Sequence, residues 1–231
     1  MELMNKILIT LIFACFVGTL AAQQSEVREV GSFRGIRAAE GIDVFLKKGP
    51  HESVRVDVSG NTELSHVITE VSGTYLKIHL RDGRFRRNIN AKVHVTYREI
   101  DKISASSAAN VYSEDEIKTR NLEIECASAA SVILTIEVDE VEAGASSAGD
   151  VELKGKANRA EFTVSSAGEI DAYDLRAGIA TATGSSAGSA KIHVLKELYA
   201  EATSGASIRF RGNPAKSRTD SRSGGSVKKS Y

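Results

Sequence analysis

The 231-residue chain has no tryptophan, two prolines, two cysteines and no excess charge, its 30 basic residues matching its 30 acidic ones. Each scarcity removes a class of protein. Balanced charge gives no footing for a nucleic-acid partner, which calls for a strongly basic domain. Two cysteines cannot build a disulfide framework. With aromatics at 6% of residues, the core must be thin and assembled from Val, Ile and Ala. The histidines, His51, His66, His79, His94 and His193, show neither H-x-x-x-H nor H-E-x-x-H spacing, so neither a zinc site nor any other cofactor is expected.

Residues 1–22 read as a secretory signal peptide: Lys6, an apolar run from Ile7 to Leu20, then Ala21 and Ala22 before the polar Gln23-Gln24-Ser25. The run is shorter than the roughly 20 residues of a membrane span. A lipobox reading of Ile12-Phe13-Ala14-Cys15 is the rival, weakened by the bulk of Phe13. Cleavage leaves an exported chain with no transmembrane span, bound for the periplasm, cell surface or medium. Cys126 is then its lone thiol, read as a small buried hydrophobe.

What the chain has instead is repetition. Seven motifs, led by Ser107, Ser128, Ser147, Ser166, Ser186, Ser204 and Ser223, follow one another at intervals of 21, 19, 19, 20, 18 and 19 residues. Each serine precedes Ala or Gly, as in Ser147-Ala-Gly-Asp-Val151 and Ser166-Ala-Gly-Glu-Ile170. Such a period marks a solenoid, whose coils bury apolar residues only by stacking. Apolar or very small residues fall two and four places before each serine (Ile124 and Cys126, Phe162 and Val164) and four after it (Val132, Val151, Ile170), with polar residues between. That is period-two alternation on both sides of a small-residue corner. The fold expected is all-β, a right-handed parallel β-helix of about seven coils of roughly 19 residues, with no room for a channel.

Parity places the leading serines on the inward side, so the seven are read as a structural corner ladder whose hydroxyls bond the turn backbone or each other. On that reading a serine-to-leucine change in a middle coil overpacks the corner. Residues 23–30 read as a linker, and 31–99 as a β-rich head capping the helix. Within the head, Leu64, Val67, Ile68 and Val71 stand at helical spacing behind Asn61 and Thr62, predicting one short helix. Residues 100–231 form the repeat β-helix, ending in a polar coil where Thr219, Ser221 and Lys229 occupy formerly apolar slots.

Phe33-Arg-Gly-Ile36, Gly41-Ile42-Asp43-Val44, the segment before Tyr75-Leu-Lys-Ile78 and the Ser-Ala-Gly corners together resemble the auto-transporter adhesin head GIN domain family, over roughly residues 31–228. The chain has Gly-Ile-Asp where the family's name suggests Gly-Ile-Asn. The resemblance implies one continuous β-helical domain, exported by a bacterium, with an adhesin-type role, and it supplies no ligand and no catalytic residues.

Other motifs lead to bland readings. Gly184-Ser185-Ser186-Ala187-Gly188 matches G-x-S-x-G, but Ser186 shares the register of the other corners. Asp150, Glu169 and Asp171 are the only faint candidates for acid–base or calcium chemistry. Arg81, Arg84, Arg86 and Arg87 crowd a loop with Phe85 interleaved, either a solvated hairpin tip or a docking patch for anionic lipid headgroups or acidic glycans. Two functions stay open: a non-enzymatic cell-envelope binding protein, adhesin-like or a scaffold for a glycan, lipid headgroup or envelope protein, and a polysaccharide lyase or hydrolase. Side-by-side homo-oligomers are compatible with either.

Overall fold

The computed structural model describes residues 24–81 and 90–230. Among them every regular element except one 3-10 turn is a strand. Seven strands precede the serine repeats: β1 (Gln24–Arg28), β2 (Gly35–Ala38), β3 (Asp43–Lys48), β4 (Ser53–Val58), β5 (Val67–Ser72), β6 (Tyr75–Leu80) and β7 (Ala91–Tyr97). Ten make up the repeats: β8 (Lys102–Ala105), β9 (Asn110–Ser113), β10 (Ile117–Ala127), β11 (Ser131–Ser146), β12 (Asp150–Val164), β13 (Glu169–Gly184), β14 (Ser189–Ala202), β15 (Ser207–Arg211), β16 (Lys216–Ser221) and β17 (Ser226–Lys229).

The repeats stack as a β-solenoid. Strands β11 to β14 each run from one serine corner to the next and bend once midway. In β11, Val132, Leu134, Ile136 and Val138 are buried, alternation slips at the exposed pair Asp139 and Glu140, and burial resumes at Val141, Ala143 and Ala145. Parallel in-register pairing lines these residues up in columns. Val132 lies on Val151, then Ile170, Ala190, Ile208 and the half-buried Val227. The column continues the other way through Val111, Val44, Val93 and Val56. Each fully buried Val or Ile contributes about 1.5–3 kcal/mol, so the column is a spine of stability. Among the described residues the buried core contains no charged side chain, and its one buried side-chain polar atom without a partner is the Tyr97 hydroxyl.

Residues 31–99 build rungs of the same solenoid. The β2–β3 rung sits between the β6–β7 rung and the β8–β9 rung, parallel to both. Strands β4 and β5 run back antiparallel on β7 and β6 and close that end. The segment expected as a linker forms β1, antiparallel on β4. The expected helix is a correction: only Leu64–His66 turns, as one 3-10 turn, and Val67–Ser72 is strand. The β-branched Val67, Ile68, Thr69 and Val71 suit a pleated surface better than a helix, and β6 offers them a partner. At the other end, β16 exposes all but one of its side chains and β17 half of its own, and β16 keeps Ser217, Thr219 and Ser221 where inner rungs bury apolar groups.

The serine corners do stack in one column, but not through their hydroxyls. Six of the seven serines are exposed and Ser107 is partly so. Each has left-handed backbone, φ between 47° and 55°, as does the Ala or Gly after it. Two successive left-handed residues reverse the chain within one tight turn, closed by bonds such as Ala109 N–H to the Ser106 carbonyl at 3.1 Å and Gly168 N–H to Ser165 at 2.8 Å. The reversal throws off the parity count, so the residue two places after the serine turns inward instead: Ala109, Ala130, Gly149, Gly168, Gly188 and Ala206 are all buried. The serine carbonyls hold the ladder. The N–H of Ala108 donates to Ser128, Ala129 to Ser147, Ala148 to Ser166, Ala167 to Ser186, Ala187 to Ser204 and Gly205 to Ser223, at 3.0–3.2 Å. An earlier corner joins the column, because Glu40 and Gly41 also have positive φ and Gly41 N–H donates to the Ser107 carbonyl.

Candidate functional site

The outer surface of each coil has two flat sides and two edges, and the residues singled out in the sequence are distributed over them. On the side after the corner, Asp150 is in register with Glu169, and Glu152 with Asp171. Burial and the neighbouring Glu169, Glu152 and Asp171 carboxylates push the Asp150 carboxyl above its ordinary range. Lys191, one rung on, places its ammonium 2.8 Å from Glu169 and 3.2 Å from Asp171. An ammonium thus stands where a bound cation would, and the cluster reads as an ion-paired surface rung. Among the described residues no three His, Cys, Asp or Glu side chains gather to hold a metal.

Further along the same side, His94, Phe45 and Tyr112 stack ring on ring, with centroids 5.0 and 5.2 Å apart and planes within 17° and 21° of parallel. Because Phe45 lies between two rungs that cover both its faces, it offers no open platform to a sugar ring. Of the arginine loop, Arg81 is seen to donate to the Ser65 carbonyl at 3.0 Å. Arg84, Phe85, Arg86 and Arg87 lie outside the described residues.

The sequence reading passed over the second edge, where the coils bend midway. A solvent-open trough of about 1010 Å³ runs there across β10 to β14. It is lined by five cations, Lys118, Arg120, Lys156, Arg176 and Lys196, against three anions, Glu116, Glu137 and Asp139. Lys118, Glu137, Lys156 and Arg176 form one column by register, one side chain per rung. Glu137 accepts from Lys118 at 2.6 Å and pairs with Lys156 at 2.7 Å. Bonded by Lys118 and then Lys156, its carboxyl falls to about 2. Lys118 also reaches Glu116, at 3.0 Å. Asp139 accepts from the Asn158 amide at 2.8 Å.

Arg120, Arg176 and Lys196 make no ion pair among the described residues. Small residues, Gly155, Ala157 and Gly178, share the lining. Two of these are obligatory, since a Cβ on Gly155 would strike the Ile136 carbonyl and one on Gly178 would come within 2.7 Å of the Asn158 carbonyl.

The rungs, their backbone-tied corners and the charged bend define a β-solenoid that exposes long columns of polar side chains rather than a cleft with converging reactive groups. The chain belongs to the family described as "Putative auto-transporter adhesin, head GIN domain", which matches residues 32–214. Among solved structures it is similar to a putative adhesin from Bacteroides fragilis at 20% identity, covering 90% of this chain and 97% of that one with a TM-score of 0.84. It is also similar to a putative lipid binding protein from Parabacteroides distasonis, at 19% identity, 92% and 98% coverage and a TM-score of 0.70. A putative adhesin from Parabacteroides merdae matches at 18% identity, 92% and 98% coverage and a TM-score of 0.70. At such identities the likeness is one of fold. No curated protein matches, and no helix among the described residues is long and apolar enough to cross a membrane.

Proposed function

We propose that the protein is an exported, non-enzymatic binding protein of the bacterial cell envelope or surface, adhesin-like or a scaffold. The observation that carries this reading is the division between backbone and side chains. Carbonyls and N–H groups hold the corners together, as in the run of bonds from Gly41 to Gly205, so the outward side chains are not needed for folding and are left to meet a partner. The family match over 32–214 supports the same role. Residues 1–22 direct export, by their signal-peptide pattern.

The test is an array of glycans, anionic and zwitterionic lipids probed with the purified protein, run beside a turnover assay on acidic polysaccharides with and without calcium. Saturable binding to an array member without turnover is expected. Chain cleavage of any polysaccharide would replace this reading with an enzymatic one, and an empty array would remove it.

A further inference from the structure

Resting on that reading, we infer that the trough at the mid-coil bend binds a single strand of an acidic polysaccharide, laid along the solenoid axis across β10 to β14. Charge complementarity supplies the first argument. Within the trough, Glu137 is neutralised by Lys118 and Lys156, and Lys118 also serves Glu116. Of the groups left without an ion pair, three are cationic, Arg120, Arg176 and Lys196, against one anion, Asp139, which accepts from the Asn158 amide. Arg120 and Arg176 stand three rungs apart, about 14 Å at the spacing of neighbouring strands, with Lys196 one rung beyond. Guanidinium forks engage carboxylates bidentately, and a run of cations at multiples of the rung spacing suits a polymer whose acid groups recur at intervals of a few sugar rings.

Shape supplies the second. The free cations line a solvent-open trough that runs across β10 to β14, a shape that a linear chain matches along its length. Glycine at 178, where a Cβ would meet the Asn158 carbonyl of the coil beneath, leaves bare backbone in the lining of the trough. The neighbouring rungs pair in parallel on both sides of the bend, with breaks at the bend residues and at the register shift between Glu152 and Lys154, so an acidic peptide has no free strand edge to join there. The lining includes no aromatic side chain on which nucleic-acid bases would stack.

The experiment compares retention of the purified protein on immobilised polygalacturonate, dextran, poly-glutamate and phosphatidylglycerol vesicles at low and physiological salt. The probe variant is Arg120→Ser/Arg176→Ser/Lys196→Ser. A control variant, Arg98→Ser/Arg218→Ser, removes exposed arginines that do not line the trough. The parent and the control should be held by polygalacturonate and released by salt, with the trough variant at least tenfold weaker at an unchanged melting temperature. Equal retention of parent and trough variant would overturn the inference, as would stronger retention on poly-glutamate or vesicles than on polygalacturonate. A neutral glycan found on the array and bound equally by the trough variant would overturn it too, while leaving the binding role intact. An array with no binding at all would remove both.

Discussion

Gly188→Ala tests where the tight point of the corner lies. A Cβ at Gly188 would come within 2.7 Å of the Val164 carbonyl carbon and 2.8 Å of its oxygen, both backbone atoms of the preceding coil. Those atoms are fixed by the bond from the Ser185 N–H to the same carbonyl, at 2.9 Å. The coil can yield only by lifting, which stretches that bond and the one from Ser207 N–H to the Gly188 carbonyl, also 2.9 Å. Overpacking costs about 1–3 kcal/mol, and two weakened bonds add up to about 1 kcal/mol each. A loss of about 2–4 kcal/mol is expected, read as a lower urea midpoint with an unchanged slope. The companion variant is Ser186→Leu in the same corner. Ser186 is exposed, so a longer side chain there enters solvent, and its cost is confined to the strain of Leu at the left-handed φ, about 1 kcal/mol. If Ser186→Leu proves the more destabilising of the two, the inward position is the serine after all and the account of the corner fails.

Other outcomes follow from the same geometry. Because the folded Glu137 carboxyl titrates near 2, below its ordinary 4.5, its ion pairs stabilise the fold above pH 4.5 and are lost as pH falls through 2. Melting temperatures of the parent and Glu137→Gln should therefore differ at pH 7, converge near pH 2 and differ less in high salt. Tyr173 reaches Ser230 of the last rung through its hydroxyl at 2.8 Å while Arg211 lies 4.0 Å over its ring. Tyr173→Phe should speed amide exchange in β17 and leave β11 unchanged; equal protection in both variants would show the contact to be idle. Burial lifts the Cys126 thiol to about 11, so it should resist a thiol reagent at pH 8 until denaturant is added. Deleting residues 150–168 joins the Gly149 corner to Glu169 in the register Asp150 had. A shorter folded solenoid of lower stability is expected by circular dichroism and melting, and an unfolded product would contradict the additive stacking of coils.

How much of this was legible before the structure depends on which bond carries the pattern. The columns of Val132, Val151 and Ile170 were readable because inward side chains repeat as residue types. The orientation of the serines was not, since parity counting assumes extended backbone and Ser166 and Ala167 are both left-handed. A signal existed: Gly149, Gly168 and Gly188 recur two places after the serine, where a small residue is demanded. The corner at Glu40–Gly41 was missed because its neighbour in space, Ser107, lies 67 residues on, with the β4–β7 segment inserted between. The head helix failed for a different reason. Spacing of Leu64, Val67, Ile68 and Val71 matches a helix by count, but those residues gain a strand partner in β6, and tertiary pairing outweighs local period.

The trough escaped notice because a fixed period misaligns it. Nineteen residues after Lys156 stands Leu175, but the register shift between Glu152 and Lys154 brings Arg176 opposite Lys156. One additional residue in that coil therefore moves a cation into the column and an apolar side chain into the core, where Leu175 is fully buried. The two edges of the coil carry unequal constraints as a result. At the corner edge the tight turn demands a small residue, Ala or Gly, in coil after coil, and at Gly188 even a Cβ meets the coil beneath. At the bend edge Asp139, Asn158 and Gly178 occupy one position in successive rungs with no shared chemistry. Apart from Gly155 and Gly178, which the coil beneath holds to glycine, coil length and residue type can change there without disturbing the corner ladder, so the bend is where a solenoid of this construction can acquire a ligand while keeping its fold.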